Sequence, residues 1–355
     1  MNILYDGTAF ARQRAGGVSR YHYELCKRMA DEGANSLLAS LFTKNRYILS
    51  DARLRRKFVR DDKAIFATVN DMIVKLALMC PARYDVFHPT DTEAFMLRAL
   101  PDNKPMVVTI HDAIVERETG QLLATKGDFA RRADRIIAVS QATKDDIVEL
   151  YGLPQEKIEV IYHGASINDR MVGAKLPALP DKYLLYVGHR GGHKNFEMLV
   201  RSIGGVLKRD GLRLVCAGGR PSGEGERAML RELGVEDNVL MCDRIDDHAL
   251  ASLYAGAAAF VFPSLNEGFG IPILEAWSCH TPVVLSDNRC FREVAGDAGL
   301  FFDPLSEGSI CEAVERILHD NALAKTLVER GDKRSELFSW ERTAQRTANL
   351  YRTLL

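Results

Sequence analysis

The sequence has few of the features that mark disulfide-rich, zinc-binding or membrane-spanning proteins. Its seven cysteines are scattered along 355 residues without a Cys-x-x-Cys pair, which favours a reduced, cytoplasmic protein and disfavours a zinc site. No apolar run approaches the roughly 20 residues of a transmembrane helix, and the opening MNILYDG is typical of a strand, not of a signal peptide. The 47 Lys+Arg and 48 Asp+Glu nearly cancel, which argues against a nucleic-acid partner for the chain as a whole.

Two common nucleotide-binding motifs are also missing. The glycines near the amino terminus do not form Gly-x-Gly-x-x-Gly, so a dinucleotide site has little support. The glycine-rich segment that ends at Lys194 lacks the spacing of a Walker A loop, in which Gly-Lys-Ser/Thr follows four intervening residues. ATP hydrolysis is therefore disfavoured.

The sequence does contain a regular alternation of short β-branched runs with helical patterns, such as Ser19–Asp31. This alternation predicts an α/β fold with parallel sheets. The predicted strands are Ile3–Tyr5, Ser36–Phe42, Val86–His88, Val107–His111, Ile136–Ser140, Ile158–Tyr162, Tyr183–Val187, Leu212–Ala217, Val239–Met241, Ala259–Phe262 and Val283–Leu285. We predict two doubly wound domains, residues 1–164 and 182–339, with a linker at 165–181, a terminal helix at 340–355 and a ligand-binding cleft between the domains.

A first candidate site follows the strand that ends at Phe262, in the segment PSLNEGFGIPILE. Pro272 suits a first helical turn, so the amides around Phe269, Gly270 and Ile271 should point outwards and form an anion site at the helix terminus. Gly268 and Gly270 would let the backbone approach a ligand without an intervening Cβ.

Two carboxylates accompany this anion site. Glu275 is expected in the first helical turn, where it could accept two hydroxyls such as those of a ribose. Glu267 lies in the loop beside the anion site and could accept sugar hydroxyls. The alternative is a purely structural turn in which a glutamate stabilises the amino terminus of its own helix.

A second candidate site is VGHRGGHKN, where another strand leads through glycines into a helix. Arg190 and Lys194 place two cations at the carboxyl end of that strand, an arrangement that suits a diphosphate whose negative charge grows as a bond to it breaks. The alternative is a solvated turn.

The first half of the chain carries two further candidates. Gly16 and Gly17 lead into a helix and could pass the backbone close to the same phosphate. His111 and Asp112 end an apolar strand, where open parallel sheets place ligand-facing residues. A lone histidine at a strand end is more often structural, although the neighbouring aspartate could fix its tautomer.

Together these motifs resemble the family-4 retaining glycosyltransferases of the GT-B fold. The resemblance rests on the Glu267-x7-Glu275 motif in EGFGIPILEAWSCHTPVV, on YVGHRGGHKN, and on GGVSRY, TIHD, AVSQATKDD and VIYHGAS in the expected order. It implies two Rossmann-like domains, with the nucleotide-sugar donor held mainly by the second and the acceptor mainly by the first. It also implies that the terminal helix, 340–355, packs on the first domain.

The resemblance also implies roles for the motif residues of the second domain. Glu275 would bind the nucleotide ribose, Glu267 the donor sugar, and the Phe269-Gly270 backbone would meet the sugar. Arg190 and Lys194 would neutralise the diphosphate, although the spacing between them is shorter than in many members of the family.

In the first domain, the resemblance implies that Gly16 and Gly17 close over the phosphate. His111 would contact the donor sugar near the reacting carbon, and Ser140 would support the cleft. The reaction implied is transfer with retention, in which the leaving diphosphate takes the acceptor proton and no glycosidase-like carboxylate pair is needed. The sequence contains no Asp-x-Asp, which agrees with a metal-independent enzyme without a cofactor.

The near-neutral total charge conceals a basic stretch, Lys44–Arg60, with seven basic residues against one aspartate. Apolar positions with helix-like recurrence follow it: Ile65, Phe66, Val69, Met72, Ile73, Leu76 and Met79. This pattern suits peripheral attachment to an anionic membrane, where lipid-linked acceptors reside. The alternative is an ordinary solvated surface.

We therefore predict a retaining hexosyltransferase, with mannose from GDP-mannose as the specific expectation, acting on a glycan or lipid-linked acceptor in surface polysaccharide synthesis. The GDP-mannose expectation comes from overall similarity to polysaccharide-cluster enzymes. The alternatives are a UDP-sugar-dependent transferase with a soluble acceptor, or a sugar-nucleotide-binding protein that has lost transfer.

Overall fold

The computed structural model describes residues 1–55, 59–60, 65–173, 179–243 and 245–355. Its strands are β1 (Asn2–Tyr5), β2 (Asn35–Leu38), β3 (Phe42–Thr43), β4 (Val59–Arg60), β5 (Val86–Phe87), β6 (Val107–Ile110), β7 (Arg135–Ala138), β8 (Ile158–Val160), β9 (Tyr183–Val187), β10 (Arg213–Ala217), β11 (Val239–Cys242), β12 (Ala259–Phe262), β13 (Val283–Ser286) and β14 (Leu300–Phe302). Its helices are α1 (Thr8–Arg12), α2 (Gly17–Arg28), α3 (Arg46–Ser50), α4 (Ile65–Leu78), α5 (Ala94–Ala99), α6 (Ile114–Thr119), α7 (Ala124–Arg132), α8 (Gln141–Tyr151), α9 (Phe196–Arg209), α10 (Glu224–Glu232), α11 (Asp247–Gly256), α12 (Ile271–Trp277), α13 (Arg289–Ala295), α14 (Glu307–His319), α15 (Asn321–Ser335) and α16 (Trp340–Arg352). The chain divides into unit 1, Met1–His163 with Trp340–Leu355, and unit 2, Gly164–Ser339.

Unit 1 is built on parallel strands in the order β2-β1-β5 and β6-β7-β8. A parallel bridge between Phe87 and Met106 connects the two groups. These central strands are short and almost wholly apolar, as expected for strands covered on both faces. A small extra pair, β3 with β4, lies outside this sheet.

Unit 2 contains a six-stranded parallel sheet in the order β11-β10-β9-β12-β13-β14. In order of appearance this is 3-2-1-4-5-6, the strand order of a doubly wound nucleotide-binding domain, which reverses between β9 and β12. Helix α9 covers the sheet with Phe196, Leu199, Val200 and Ile203, which are buried at helical spacing. The α/β fold class with two parallel-sheet domains is therefore confirmed.

Helix α16 belongs to unit 1 although it follows unit 2 in the chain. Its Tyr351 hydroxyl lies 3.1 Å from the hydroxyl of Tyr5 on β1. Thr343 donates to the carbonyl of Tyr162 at 2.7 Å, which attaches the helix to the end of β8. Buried aromatic and threonine contacts thus tie the last helix to the first strand.

Several local expectations differ from the structure. Strand β2 ends at Leu38, not at Phe42, because Phe42 begins the separate β3 strand. The predicted linker is in part attached to unit 2, since Asp169 N–H donates to the carbonyl of Ser278 at 2.8 Å and Gly173 N–H to Ser252 at 3.0 Å. Residues 174–178 of that linker, and Arg56 and Lys57 of the basic stretch, lie outside the described residues.

Candidate active site

The two sequence motifs of unit 2 meet where the strand order reverses. The segment that follows β9 and the segment that follows β12 leave adjacent strands at the same sheet edge. The amide of Leu265 donates to the carbonyl of His193 at 2.7 Å, so the two segments are in direct backbone contact. This is the edge at which open α/β sheets bind ligands.

Lys194 and Glu267 form an ion pair at this edge, with Nζ 2.5 Å from Oε1. Lys194 ends a short 3₁₀ turn, Gly192–Lys194, and Asn195 then adopts a left-handed conformation that starts α9. The ammonium also lies 5.3 Å from the ring centroid of Phe262. The pair offers a cation for an anionic ligand and a carboxylate for hydroxyls.

Glu275 lies in the second turn of α12, not in the first, because the helix begins at Ile271. Its carboxylate is buried and accepts a hydrogen bond of 3.1 Å from the hydroxyl of Tyr254 on α11. Burial and the charge of Glu275 raise the pKa of Tyr254 well above its usual value, so Tyr254 stays a hydrogen-bond donor. Sequence reasoning missed Tyr254, because it is one tyrosine of an ordinary buried helix face.

The backbone between Gly268 and Ile271 turns tightly into α12. Gly270 has φ +97°, and a Cβ there would lie 3.0 Å from the ring of Phe291, so this position requires glycine. The amides of Gly270 and Ile271 make no hydrogen bond with any residue that the structure describes. The Phe269 side chain is instead part of the core and packs edge-to-face on Phe338.

Arg190 points away from these groups. Its guanidinium is 4% exposed and donates through Nε to Glu226 at 2.8 Å and through Nη1 to the carbonyl of Gly218 at 3.0 Å. A third bond goes to the carbonyl of Arg220. The structure thus places the Arg190 side chain within the protein, against the loop after β10, and its contacts do not support the expected role as a diphosphate cation.

In unit 1, Gly16 and Gly17 mark the start of α2, but the short helix α1 separates them from β1. A Cβ on Gly16 would lie 2.7 Å from Oε1 of Gln13, the atom that accepts a hydrogen bond from the amide of Ser19. No described atom lies within 4 Å of a Cβ built on Gly17. A side chain at Gly16 would therefore displace the Gln13 amide group, whereas Gly17 faces open space.

His111 follows β6, and its buried Nε2 has no hydrogen-bond partner among the described residues. Burial lowers the pKa of His111 to about 4, against the opposing effect of Asp112, and Lys126 lowers it further. The imidazole is therefore neutral at pH 7. Lys126, which sequence reasoning missed, donates to the carbonyl of Asp112 at 3.1 Å and pairs with the buried Glu116 at 2.8 Å.

The His111 ring lies against those of His22 and His163, and the His22 ring against that of His88. We call the three buried residues His22, His88 and His163 the buried histidine cluster. His88 bonds to Tyr351 of α16 and, at 2.9 Å, to Thr109 of β6. His163 lies 5.5 Å from the ring of Trp340, at the start of α16. The cluster thus joins the centre of the unit 1 sheet to the last helix.

Ser140, which was expected to support the cleft, caps α8. Its hydroxyl is buried and accepts a hydrogen bond from the amide of Thr143 at 3.0 Å. Over the described ranges, no helix is both long and apolar enough to cross a bilayer. Within those ranges, no three His, Cys, Asp or Glu side chains are grouped as a metal ion requires.

Comparison with known proteins identifies related sequences over most of the chain. The family described as "Glycosyltransferase Family 4" matches residues 15–169, and "Glycosyl transferases group 1" matches residues 171–334. O-antigen chain mannosyltransferase B of Escherichia coli is 32% identical over 279 residues, 76% of this chain and 66% of that protein. O-antigen chain mannosyltransferase RfbU of Salmonella typhimurium is 31% identical over 188 residues, 53% of this chain and 52% of that protein.

Among solved structures, sucrose-phosphate synthase from Thermosynechococcus elongatus superposes with a TM-score of 0.78. It is 22% identical, and the match covers 99% of this chain and 98% of that one, so it shows a shared fold. The family matches cover both halves of the chain, and the strand order of unit 2 and the motifs at its reversal agree with them. The chain therefore belongs to the group 1, family 4 glycosyltransferases of the GT-B fold.

Proposed function

We propose that this glycosyltransferase is a retaining mannosyltransferase that uses GDP-mannose and adds to a glycan or lipid-linked acceptor in surface polysaccharide synthesis. The donor site is proposed from one observation, the Lys194–Glu267 pair beside the amides of Gly270 and Ile271 at the strand-order reversal. The choice of mannose and of a polysaccharide acceptor rests on the two O-antigen mannosyltransferases among the relatives.

In the proposed reaction, unit 2 holds the donor and stabilises its leaving group. Lys194 and the amides of Gly270 and Ile271 bind the diphosphate, whose negative charge increases as the glycosidic bond breaks. Glu275, fixed by Tyr254, accepts the ribose hydroxyls, and Glu267 accepts hydroxyls of the sugar. The roles of His111 with the donor sugar, and of Gly16 and Gly17 with the phosphate, stay predictions from the family resemblance.

Retention is proposed to occur without a covalent glycosyl-enzyme. A double displacement needs two carboxyl groups, one free to act as a nucleophile and one as an acid. Glu267 is paired with Lys194, and Glu275 is buried against Tyr254, so both are committed to binding. The leaving diphosphate oxygen instead takes the proton of the acceptor hydroxyl as that hydroxyl bonds to the oxocarbenium-like carbon.

A resident metal is not required in this scheme. Metal-dependent transferases place Mg²⁺ or Mn²⁺ on the diphosphate through acidic residues, and the sequence has no Asp-x-Asp that could do so. Lys194 and the helix-terminal amides supply the positive potential. Independence from a metal ion is tested in the same experiment as the identity of the donor.

The deciding experiment incubates the purified chain, in EDTA, with GDP-mannose or UDP-glucose and a panel of saccharide and lipid-linked acceptors. We expect transfer from GDP-mannose, with an α-linked product by NMR because the donor is α. Transfer only from UDP-glucose would show that GDP-mannose is not the donor. A β-linked product would exclude retention. Activity that is lost in EDTA and restored by Mn²⁺ would exclude the metal-free scheme. Donor binding without hydrolysis or transfer would favour a non-catalytic protein.

We further propose that unit 1 contacts an anionic membrane where lipid-linked acceptors are found. Met72, Leu76 and Met79, spaced i, i+4 and i+7, are 60%, 60% and 67% exposed along one side of α4 and its carboxyl end. Asn70 ties α4 to β3, the strand just before the basic stretch, by accepting from the amide of Phe42 at 3.1 Å. Within the basic stretch, Arg53 and Arg55 are exposed. Exposed apolar and basic side chains are the two components of interfacial binding.

Vesicle flotation tests this proposal. The wild type should float with phosphatidylglycerol-containing vesicles and much less with phosphatidylcholine alone, and 0.5 M salt should reduce recovery because it screens the basic residues. Arg53→Glu/Arg55→Glu and Leu76→Ser/Met79→Ser should each lose most of the recovery, whereas Lys325→Glu, 79% exposed in unit 2, should not. Equal recovery of all four proteins would exclude membrane binding by this surface.

A further inference from the structure

The loop after β10 packs against the loop after β9 at the proposed donor edge of unit 2. Gly219 has φ +84°, and a Cβ on it would lie 3.1 Å from the carbonyl oxygen of Gly188 and 3.0 Å from Nη1 of Arg190. Gly188 N–H also donates to the carbonyl of Ala217 at 2.9 Å. The two backbones therefore touch, and Arg220 is held beside the loop that carries Lys194.

Arg190 fixes the shape of this second loop. It is almost fully buried and donates to the carbonyls of Gly218 and Arg220, one before and one after Gly219. Glu226 balances its charge and also accepts from Ser222 at 2.8 Å. The N–H groups of Arg190 are thus used within the protein, and its charge is paired with Glu226.

Arg220 is the opposite case. Its side chain is exposed and makes no hydrogen bond or ion pair with any residue in the described ranges. The backbone beside it is in contact with the loop after β9, since a Cβ on Gly219 would lie 3.6 Å from Cα of His189. Burial lowers the pKa of His189, and the nearby positive charges of Lys194, Arg220 and Arg190 lower it further. Glu267 pairs with Lys194 and Glu226 with Arg190, whereas Arg220 has no acidic partner among the residues that the structure describes.

We propose that Arg220 is the second cation that binds the donor's diphosphate, and that Arg190 is a positioning residue that holds the Arg220 loop in place. The inference rests on the proposed donor site and names a residue that its motifs do not include. A nucleoside diphosphate carries more than one negative charge, so a single lysine already paired with a carboxylate leaves it incompletely neutralised. An unpaired guanidinium on the adjacent loop supplies the missing charge and can bind phosphate oxygens through two N–H groups.

Calorimetry with inorganic pyrophosphate, GDP and guanosine tests the proposal. Arg220→Ala should weaken the binding of pyrophosphate and of GDP at least tenfold and leave the affinity for guanosine unchanged. Arg220→Lys should recover part of the lost affinity. The matched control is Arg213→Ala, at an exposed arginine that begins β10, the strand before the Arg220 loop. This variant should bind like the wild type. Wild-type pyrophosphate affinity in Arg220→Ala, with affinity lost in Lys194→Ala, would overturn this inference and leave the proposed donor site standing. If Lys194→Ala also binds normally, the donor site itself is wrong.

The role of Arg190 is tested by a double-mutant cycle. Arg190→Ala should weaken GDP binding. In an Arg220→Ala background the same substitution should cause little further loss of GDP affinity, because Arg190 acts through the Arg220 side chain. A merely structural role would give additive losses and would weaken guanosine as well. Native far-ultraviolet circular dichroism of each variant shows that unit 2 remains folded, and Arg190→Lys serves where Arg190→Ala does not fold.

Discussion

Acidification from pH 7.5 to 5 should unfold unit 1 well before unit 2. His22, His88 and His163 are buried, and burial lowers the pKa of His88 to about 3 and those of the other two well below their usual value. Because the unfolded chain binds these protons near pH 6.5, the stabilisation is complete above that pH and falls as the pH decreases toward the lowered values. Burial also lowers the pKa of His111 to about 4, so four such groups together cost about 5 kcal/mol of unfolding free energy per pH unit, a large share of the stability of a domain.

The two tryptophans make the effect measurable in each unit separately. Trp340 lies in unit 1 beside His163, and Trp277 lies in unit 2. Urea unfolding of Trp277→Phe, followed by fluorescence at pH 7.5, 6.5 and 5.5, should show a midpoint that falls steeply. Trp340→Phe, which reports on unit 2, should show a much smaller change.

His22→Phe is the matched variant for this prediction. Nδ1 of His22 has no hydrogen-bond partner in the described part of the chain, so an apolar ring of similar shape removes a titrating group without breaking a bond to that atom. The slope of unfolding free energy against pH should decrease by about 1.4 kcal/mol per pH unit, roughly a quarter of the contribution of the four histidines. An unchanged unit 1 midpoint between pH 7.5 and 5.5 would contradict the assignment of the cluster as neutral and buried.

The histidine cluster also shows where sequence reasoning ends. Each of its members follows a strand or lies on a helix, and nothing local distinguishes them from solvated histidines. They meet because β1, β5 and β6 are neighbours in the sheet and α16 returns to it, which is a property of the topology. The fold class was predictable because alternating apolar strands and amphipathic helices are repeated many times.

The proposed donor site likewise combines features that the local sequence predicts with features that only the fold determines. The position of Lys194 and Glu267 at one sheet edge could be predicted, because each lies in the segment that follows a strand. The carboxyl ends of parallel strands share one edge of the sheet. The direction of Arg190 could not be predicted, because it is set by Glu226, 36 residues further along the chain. Glu275 was placed one turn too early because the start of α12 depends on the left-handed conformation of Gly270.

Lys194→Ala should have the largest effect on transfer. The ammonium contacts Glu267 across the two motifs, with Nζ 2.5 Å from Oε1, so its loss would remove positive charge from the proposed diphosphate site and leave the carboxylate without its partner. Removing one preorganised group of this kind costs about 100-fold or more in kcat, and Lys194→Arg should not restore the rate because a planar guanidinium cannot replace a compact ammonium. Lys208→Ala, an exposed lysine on α9 that bonds only to the carbonyl of Leu233 among the described residues, is the control and should transfer at the wild-type rate. The measurement is steady-state kinetics with the active donor, with circular dichroism to show that each variant is folded. A kcat of Lys194→Ala within threefold of the wild-type value would exclude a role for Lys194 in the chemistry and, with it, the proposed mode of leaving-group stabilisation.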